Sequence, residues 1–301
     1  MRFGIFSFGQ APYEDLAKRF RQAEELGFAS VWVADVLLTP DYADFEPWTL
    51  LGALARDTTR IRLGTMVTAI TFRHPSLLAA QAITLDHVSG GRAELGLGTG
   101  GPPNPYGAFS QHDWSPRERA ERLEEYAAVL DPLLRGERVT HDGQHYPVRD
   151  AQLPAGWQQP RVPFTIAAHG AHGLRTAARH ADGWNSLGGQ PYPLPDPSAL
   201  VTLAEAVAET KRLSERLDTF CQEVGRDPET IRRSVQALNP APDPLTSLAA
   251  FDEYVGAYAE IGIDELIFYW PPLAYIDERG PVPGEVQTRF ERIAAERVGV
   301  H

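Results

Sequence analysis

Cysteine, lysine and long apolar runs are all scarce in this sequence of 301 residues. The single cysteine, Cys221, excludes an internal disulfide and any metal site built from several cysteines. The two lysines, Lys18 and Lys211, leave few options for a catalytic Schiff base. No segment stays apolar over the roughly 18 residues that a membrane crossing needs, and the first residues lack the apolar region of a signal peptide. We therefore predict a cytoplasmic protein.

Basic residues are too few to balance the acidic ones. Lysine and arginine number 28 against 40 aspartates and glutamates, which gives a formal net charge of −12. This charge repels polyanions, so nucleic acid and anionic membrane surfaces are poor candidate partners, and we expect a small-molecule substrate. The 43% share of apolar residues and the 23% share of charged residues are typical of a globular protein.

The chain alternates between short β-rich runs and longer runs of helical period, a pattern that predicts βα units around a parallel sheet. Eight such pairs favour a TIM-type (β/α)8 barrel, an α/β fold, over a doubly wound sheet. No linker divides the chain, so we predict a single domain over residues 1–301. The predicted strands are Phe3–Phe8, Ser30–Ala34, Ile61–Ile70, Ala93–Leu97, Pro163–Ala168, Gly183–Leu187, Arg232–Leu238 and Glu265–Trp270. The predicted helices are Tyr13–Leu26, Pro47–Asp57, Pro75–His87, Pro116–Leu134, Gly173–His180, Ser198–Val224, Leu248–Ile261 and Glu285–Val298.

Residues 136–160 interrupt this alternation. Asp142-Gly143 lies there between two short β-like runs, which predicts a hairpin inserted between helix four and strand five. Proline-rich loops at 188–198 and 271–284 follow strands six and eight. In a barrel, the loops that follow strands face the active site.

Motifs of several enzyme classes are missing at the strand ends. There is no HxH or HExxH metal spacing, no GxSxG elbow and no pair of facing carboxylates. Because the strand ends carry few acidic and basic side chains, we expect a site in which a cofactor supplies the reactivity. Asp35 could be a catalytic base, a hydrogen-bond acceptor for a cofactor or the cap of a loop. The triplet at residues 73–75 (Arg-His-Pro) could form the start of a helix or contact an anion. The other residues that close strands are Ser7, Thr65, Met66, Val67, Thr99, Gly100, His169, Gly170, Asn185, Ser186, Asn239, Tyr269 and Trp270.

Two glycine-bearing strand ends are further candidates. Residues 96–101 match GxGxxG, but residues 102–105 (Pro-Pro-Asn-Pro) stand where a dinucleotide fold needs a helix, so we reject the Rossmann interpretation. These glycines predict either close approach of a flat ligand or a turn with positive φ. At the second strand end, free N–H groups near Gly170 to Gly173 would hold a phosphate. His169 and His172 either add donors there or are structural.

These motifs, taken together, resemble one enzyme family. The matching segments are 46–55 (EPWTLLGALA), 61–65 (IRLGT), 73–75 (RHP), 84–100 (TLDHVSGGRAELGLGTG), 177–185 (AARHADGWN) and 262–265 (GIDE). In this order and spacing the chain resembles the luciferase-like monooxygenases, the bacterial-luciferase-type flavin and deazaflavin enzymes. The resemblance implies a TIM-type barrel, a homodimer, and FMN or coenzyme F-420 bound over the strand ends.

The resemblance also implies roles for individual residues. A non-proline cis peptide behind the cofactor ring would fall at Met66-Val67. The resemblance implies polar contacts to the cofactor from Asp35, Thr65, Thr99, Gly100 and Asn104, and a phosphate site formed by Gly170, Ala171, His172 and Gly173. The strand ends add Ser7, Met66, Val67 and His169 as candidate cofactor contacts. The chain departs from the family at three positions: Val36 replaces a common histidine, Gly101 a common glutamate and Thr99 the phosphate-binding arginine of bacterial luciferase. Asp35 and His169 are therefore our catalytic candidates.

Three functions fit these features. The first is a monooxygenase that uses O₂ and reduced FMN from a separate flavin reductase. The second is an F-420-dependent hydride-transfer enzyme, and the third is a flavin-binding protein without activity. Aromatic residues on the loops suggest an apolar or aromatic substrate, although they could equally pack the loops together. These residues are Tyr106, Phe109, Trp114, Tyr192, Tyr269, Trp270 and Tyr275.

Overall fold

A computed structural model describes residues 1–9, 12–35, 45–100, 114–190, 201–238, 240–272 and 282–299. The strands are β1 (Arg2–Ser7), β2 (Ser30–Val33), β3 (Arg62–Ala69), β4 (Ala93–Gly98), β5 (Val139–His141), β6 (Val148–Ala151), β7 (Phe164–Ala167), β8 (Gly183–Ser186), β9 (Arg232–Gln236) and β10 (Glu265–Tyr269). The helices are α1 (Tyr13–Glu25), α2 (Pro47–Asp57), α3 (Pro75–Ser89), α4 (Pro116–Leu134), α5 (Ala171–His180), α6 (Leu203–Glu223), α7 (Leu248–Ala259) and α8 (Gly284–Ile293). A π-helical turn, Ala294–Val298, follows α8.

Eight of the strands close into a parallel barrel in the order β1-β10-β9-β8-β7-β4-β3-β2. The TIM-type barrel predicted from the alternation of strands and helices is therefore confirmed. The ring closes where β1 pairs with both β2 and β10, so Phe6 lies beside Trp32 on one side and Tyr269 on the other. Between α4 and β7, the short strands β5 and β6 pair antiparallel, in the region where the sequence predicts an inserted hairpin.

Local capping explains where the helices begin. Pro47, Pro75 and Pro116 each occupy the first turn of a helix, as predicted. The predicted start of α6 at Ser198 is wrong, because a capping box of Thr202 and Glu205 begins the helix at Leu203. The helix α5 begins earlier than predicted, at Ala171.

The alternation of side chains along the strands divides the interior into two parts. Residues that point outward pack against the helices in the main apolar core. An inner cluster fills the upper barrel and consists of Phe6, Trp32, Ala34, Met66, Ile267 and Tyr269. A basal ion cluster lies at the amino ends of the strands and consists of Arg2, Arg62, Glu94, Arg232 and Glu265. In a TIM-type barrel this lower end is the one associated with stability rather than catalysis.

No helix within the described residues is long and apolar enough to cross a membrane.

Candidate active site

The inner cluster forms an apolar wall near the carboxyl ends of the strands. Phe8, Val67 and Leu238 pack against it and are only partly buried, so they mark its open side. The rings of Phe6 and Tyr269 lie 4.8 Å apart with an angle of 55° between them. A flat apolar group entering the barrel from this end would meet aromatic and aliphatic side chains.

Strand β3 bulges at this end of the barrel. The peptide bond between Met66 and Val67 is cis, as the family resemblance implies, and the register between β3 and β4 shifts between Thr65 and Thr68. Thr65 and Thr68 are fully buried, and the Thr68 hydroxyl donates a hydrogen bond to Thr65 Oγ1 over 3.0 Å. The Thr65 hydroxyl donates in turn to the carbonyl oxygen of Gly96 over 3.3 Å, which ties the bulge to β4.

The glycines of β4 make room for this bulge. A Cβ atom on Gly96 would lie 2.2 Å from the carbonyl oxygen of Thr65, and one on Gly98 would lie 2.6 Å from Val67 Cγ2. Close approach of β3 therefore explains these two glycines, and approach of a flat ligand to them stays a prediction. The alternative, a turn with positive φ, applies to Gly100, where φ is +73°.

We expect Gly96→Ala to lower the free energy of unfolding by about 1–3 kcal/mol, because the new methyl group overlaps the backbone of the bulge. Denaturant unfolding would measure this loss. The matched control is Gly256→Ala in α7, where a Cβ atom meets nothing within 4 Å and alanine favours the helix. Equal stability of the two variants would contradict the packing role of Gly96.

Asp35, two residues beyond β2, belongs to a buried ion pair and is not an isolated base. Its carboxylate accepts hydrogen bonds from both terminal nitrogens of Arg73, one of them over 3.3 Å. The Asp35 side chain is fully buried and that of Arg73 is 6% exposed, while Arg73 also bonds to Glu46 over 3.3 Å. Burial raises the pKa of Asp35, and the hydrogen bond and charge of Arg73 offset only part of that rise. Arg73 thus contacts an anion, but the anion belongs to the protein.

The junction of β7 and α5 has the geometry expected of an anion site. Gly170 is the N-cap of α5, and no side chain of the described residues caps the helix. The N–H groups of Ala171, His172 and Gly173 therefore remain at an open helix start, where the helix dipole favours negative charge. Gly173 is required there for packing, since a Cβ atom would lie 2.8 Å from Ala168 Cβ.

His169, the residue before this helix start, is a neutral hydrogen-bond acceptor. Burial lowers its pKa, so the imidazole is uncharged near pH 7. Its Nε2 accepts a hydrogen bond from the N–H of Leu187 over 3.2 Å. One ring nitrogen is thus already engaged with the backbone of the neighbouring strand.

Two of the predicted site residues point away from the barrel interior. Ser7 is fully buried beneath α1, where its Oγ accepts a hydrogen bond from Arg19 over 2.8 Å. Trp270 stacks on Phe290 of α8 at 3.7 Å, within the outer core. Since successive side chains of a strand point to opposite faces, Tyr269 faces inward and Trp270 cannot. Ser7, a predicted cofactor contact, and Trp270, a predicted substrate contact, therefore have side chains on the outer side of the barrel strands, and their roles stay predictions.

The strand-four end lies against α4. Thr99 is partly buried, and its hydroxyl donates to the carbonyl oxygen of Gly100 over 3.2 Å. Arg119 of α4 donates to the carbonyl oxygens of Gly100 and Trp114, over 3.1 and 3.0 Å. The Trp114 ring lies under the Arg122 guanidinium at 4.1 Å, so this predicted substrate contact packs at least partly against α4. The predicted residues outside the described ranges are Val36, Gly101, Asn104, Tyr106, Phe109, Tyr192, Asn239 and Tyr275.

The sequence analysis missed Gln236 of β9. Its side chain is buried inside the barrel and its Nε2 donates to the Tyr269 hydroxyl over 2.7 Å. The signal was present, because Ser234 and Gln236 alternate with Val235 and Ala237 and so place two polar side chains on the inner face. No group of three or more histidine, cysteine, aspartate or glutamate side chains in the described ranges could hold a metal.

Known proteins resemble this chain in sequence and in fold. The family described as luciferase-like monooxygenase matches residues 1–243. An F420-dependent glucose-6-phosphate dehydrogenase of Beutenbergia cavernae is 35% identical over 254 residues, covering 81% of this chain and 72% of that protein. A protein of the same name from Microbacterium testaceum is 35% identical over 207 residues, covering 66% of this chain and 60% of its own length.

Solved structures share the fold at lower identity. An F420-dependent secondary alcohol dehydrogenase in complex with an F420-acetone adduct superposes with a TM-score of 0.76 at 16% identity, covering 98% of each chain. A monooxygenase from Streptomyces bottropensis superposes with a TM-score of 0.74 at 22% identity, covering 99% of this chain and 98% of its own. At such identities the likeness establishes the fold alone.

Proposed function

Because the chain belongs to the luciferase-like monooxygenase family and is therefore an oxidoreductase, we propose that it uses coenzyme F-420 to transfer hydride to or from a small organic substrate. The observation that carries this proposal is the name shared by the curated relatives at 35% identity, both F420-dependent dehydrogenases. It favours our second prediction over the first, the FMN monooxygenase. The monooxygenase with FMN and a separate flavin reductase remains the second candidate, supported by the family and by a monooxygenase of the same fold.

The described residues fit a tricyclic cofactor that carries a phosphate. The inner cluster, with Val67 and Leu238 at its open side, offers an apolar surface to a flat ring. The uncapped start of α5 offers backbone N–H groups to a phosphate. When bound, the deazaflavin supplies the carbon that accepts or donates the hydride. The protein's part is to hold the ring and the substrate together and to exclude water from between them.

Asp35 would act here as a fixed acceptor. Its ion pair with Arg73 holds the carboxylate at the end of β2, and Glu46 holds Arg73 from the other side. A carboxylate fixed in this way suits a hydrogen bond to a polar edge of the cofactor. His169, buried and neutral, precedes the start of α5 and adds no charge to the site.

Spectral and fluorescence titrations of the purified protein with F-420 and with FMN test the proposal. We expect saturable binding of F-420, with binding of FMN at least about tenfold weaker. Tighter binding of FMN would favour the second candidate. The absence of saturable binding of either cofactor, in oxidised or reduced form, would refute both.

The phosphate site at α5 gives a sharper prediction. Ala171→Pro removes one N–H group but keeps the helix, because proline is tolerated at the first helical position and Gly170 is already extended at φ −94° and ψ 158°. We expect about tenfold weaker binding of F-420 and unchanged binding of the deazaflavin that lacks the phosphate. FMN and riboflavin, which differ in the phosphate, form a second pair of ligands for the same comparison. Equal weakening of the phosphorylated and unphosphorylated ligands would contradict a phosphate at this helix.

We also propose that two copies of the chain form a homodimer through α2 and α3. A groove between these helices is lined by a mixture of apolar, small and polar residues: Trp48, Thr49, Gly52, Ala80, Gln81, Thr84, Leu85 and Val88. Gln81 Oε1 is buried at this groove and has no hydrogen-bond partner among the described residues. Sedimentation equilibrium should give twice the 33.2 kDa mass of the chain.

A further inference from the structure

The inner cluster contains two side chains with a hydrogen-bond donor, Trp32 and Tyr269, and they differ in whether a described residue accepts from that donor. Trp32 Nε1 donates to the Ser30 hydroxyl over 2.9 Å, at the lower side of the cluster. Tyr269 accepts a hydrogen bond from Gln236 Nε2 over 2.7 Å, and its phenolic hydrogen is not donated to any described residue. The cluster therefore has one donor, the Tyr269 hydroxyl, that no described residue uses, and it lies within an apolar surface.

The position of this hydroxyl is fixed from two sides. Gln236 holds the oxygen, and the tyrosine ring packs against Phe6 at 4.8 Å and Phe8 at 6.3 Å. Burial raises the pKa of Tyr269, so the phenol keeps its proton near neutral pH. Its side chain is also next to the partly exposed Phe8 at the carboxyl end of the barrel, where a substrate would enter.

We propose that Tyr269 donates a hydrogen bond to a carbonyl oxygen of the substrate and that Gln236 is its positioning residue. This inference rests on the proposed function, since it assigns a contact within the same site. An apolar wall with one oriented donor selects a small neutral molecule that carries a single carbonyl group. A matching molecule without the oxygen leaves the donor unpaired and binds less tightly.

Binding without turnover tests this selection. The probes are cyclohexanone and methylenecyclohexane, which have nearly the same shape but differ in the oxygen, measured by ligand-observed NMR titration of the protein with and without F-420. We expect the wild type to prefer cyclohexanone by about tenfold. Tyr269→Phe should abolish this preference by weakening the ketone alone, and Gln236→Leu should reduce it.

Two further variants separate the hydrogen bond from a general loss of structure. Tyr269→Phe/Gln236→Leu removes the buried amide that the single variant leaves unpaired, and it should show the same loss of preference. Tyr258→Phe removes another buried hydroxyl, one that donates to the carbonyl oxygen of Gly188 over 3.2 Å in the outer layer, and it should bind both probes as the wild type does.

Several results would overturn the proposal. The wild type could bind both probes equally, Tyr269→Phe could retain the preference, or Tyr269→Phe could weaken F-420 while leaving the ketone unchanged. The cofactor titration is a separate measurement. A protein that prefers the ketone but binds no F-420 would refute the proposed function and leave the role of Tyr269 standing.

Discussion

Replacing Arg73 by methionine is expected to lower the free energy of unfolding by about 4 kcal/mol at pH 7. Arg73 is the cation beside Asp35, whose side chain is fully buried. Without it the carboxyl group must take up a proton to avoid an uncompensated buried charge. Breaking a buried ion pair by removing one partner costs about 3–5 kcal/mol, which sets the size of the loss. Urea unfolding at constant ionic strength would measure it.

The sign of the pH dependence follows from the same carboxyl group. In Arg73→Met the folded state binds a proton on Asp35 that the unfolded state has released, so the stability deficit grows as the pH rises above 3.8. We therefore expect the deficit to shrink steadily between pH 7 and pH 5. The neutral variant Asp35→Asn/Arg73→Met should recover most of the loss.

Asp35→Asn alone is the matched control, because Arg73 keeps its second partner, Glu46, at 3.3 Å. It should cost much less than Arg73→Met. Equal losses in the two single variants, or a deficit that does not change with pH, would show that Arg73 acts through packing rather than as the counter-ion of Asp35.

The fold was predictable because its signal is repeated along the chain. Each strand of the barrel is covered on its outer face, so segments such as Ser30–Val33 are apolar and short, and prolines at 47, 75 and 116 mark where helices begin. The start of α6 was predicted wrongly because it depends on a side-chain contact between residues three positions apart. The capping box of Thr202 and Glu205 is such a contact.

The site was less predictable because position at a strand end does not give direction. Ser7 and Trp270 end their strands but point outward, whereas Gln236 was overlooked and points inward. The bulge at Met66-Val67 is a further difficulty, since it shifts the register of β3 and gives Gly96 a packing partner that its own sequence neighbours do not reveal. Ion pairs such as Asp35 with Arg73 join residues 38 positions apart and appear only when the barrel has closed.

Glu94 in the basal ion cluster provides the second large prediction. Its carboxylate is 1% exposed, accepts from Arg62 Nε over 2.5 Å, pairs with Arg232, and lies 3.5 Å from Arg2 Nη2. Glu94→Gln leaves Arg2 and Arg232 with Glu265 at 3.8 Å as their remaining carboxylate, and it removes the carboxylate partner of Arg62. We expect a loss of about 3 kcal/mol in the free energy of unfolding, toward the low end for a broken buried pair because the arginines reach solvent.

The acid side of the stability curve shows whether the charge of Glu94 is responsible. Burial alone would raise its pKa, but the charges of Arg232 and Arg62 lower it below the ordinary value of 4.5. A carboxyl group with a lowered pKa stabilises the fold above that value, and this contribution is lost as the pH falls through the folded pKa. The wild type should therefore lose more stability than Glu94→Gln between pH 5 and pH 3.

Glu121→Gln is the matched control, because Glu121 pairs with Arg117 on the exposed face of α4. That pair is surrounded by water, so its removal should leave the unfolding free energy unchanged. If Glu94→Gln were as stable as Glu121→Gln, or if its stability fell with acid as steeply as that of the wild type, the carboxylate would not hold the arginines of the barrel floor together. A loss confined to Glu94→Gln would instead show that buried charge stabilises the lower end of the barrel.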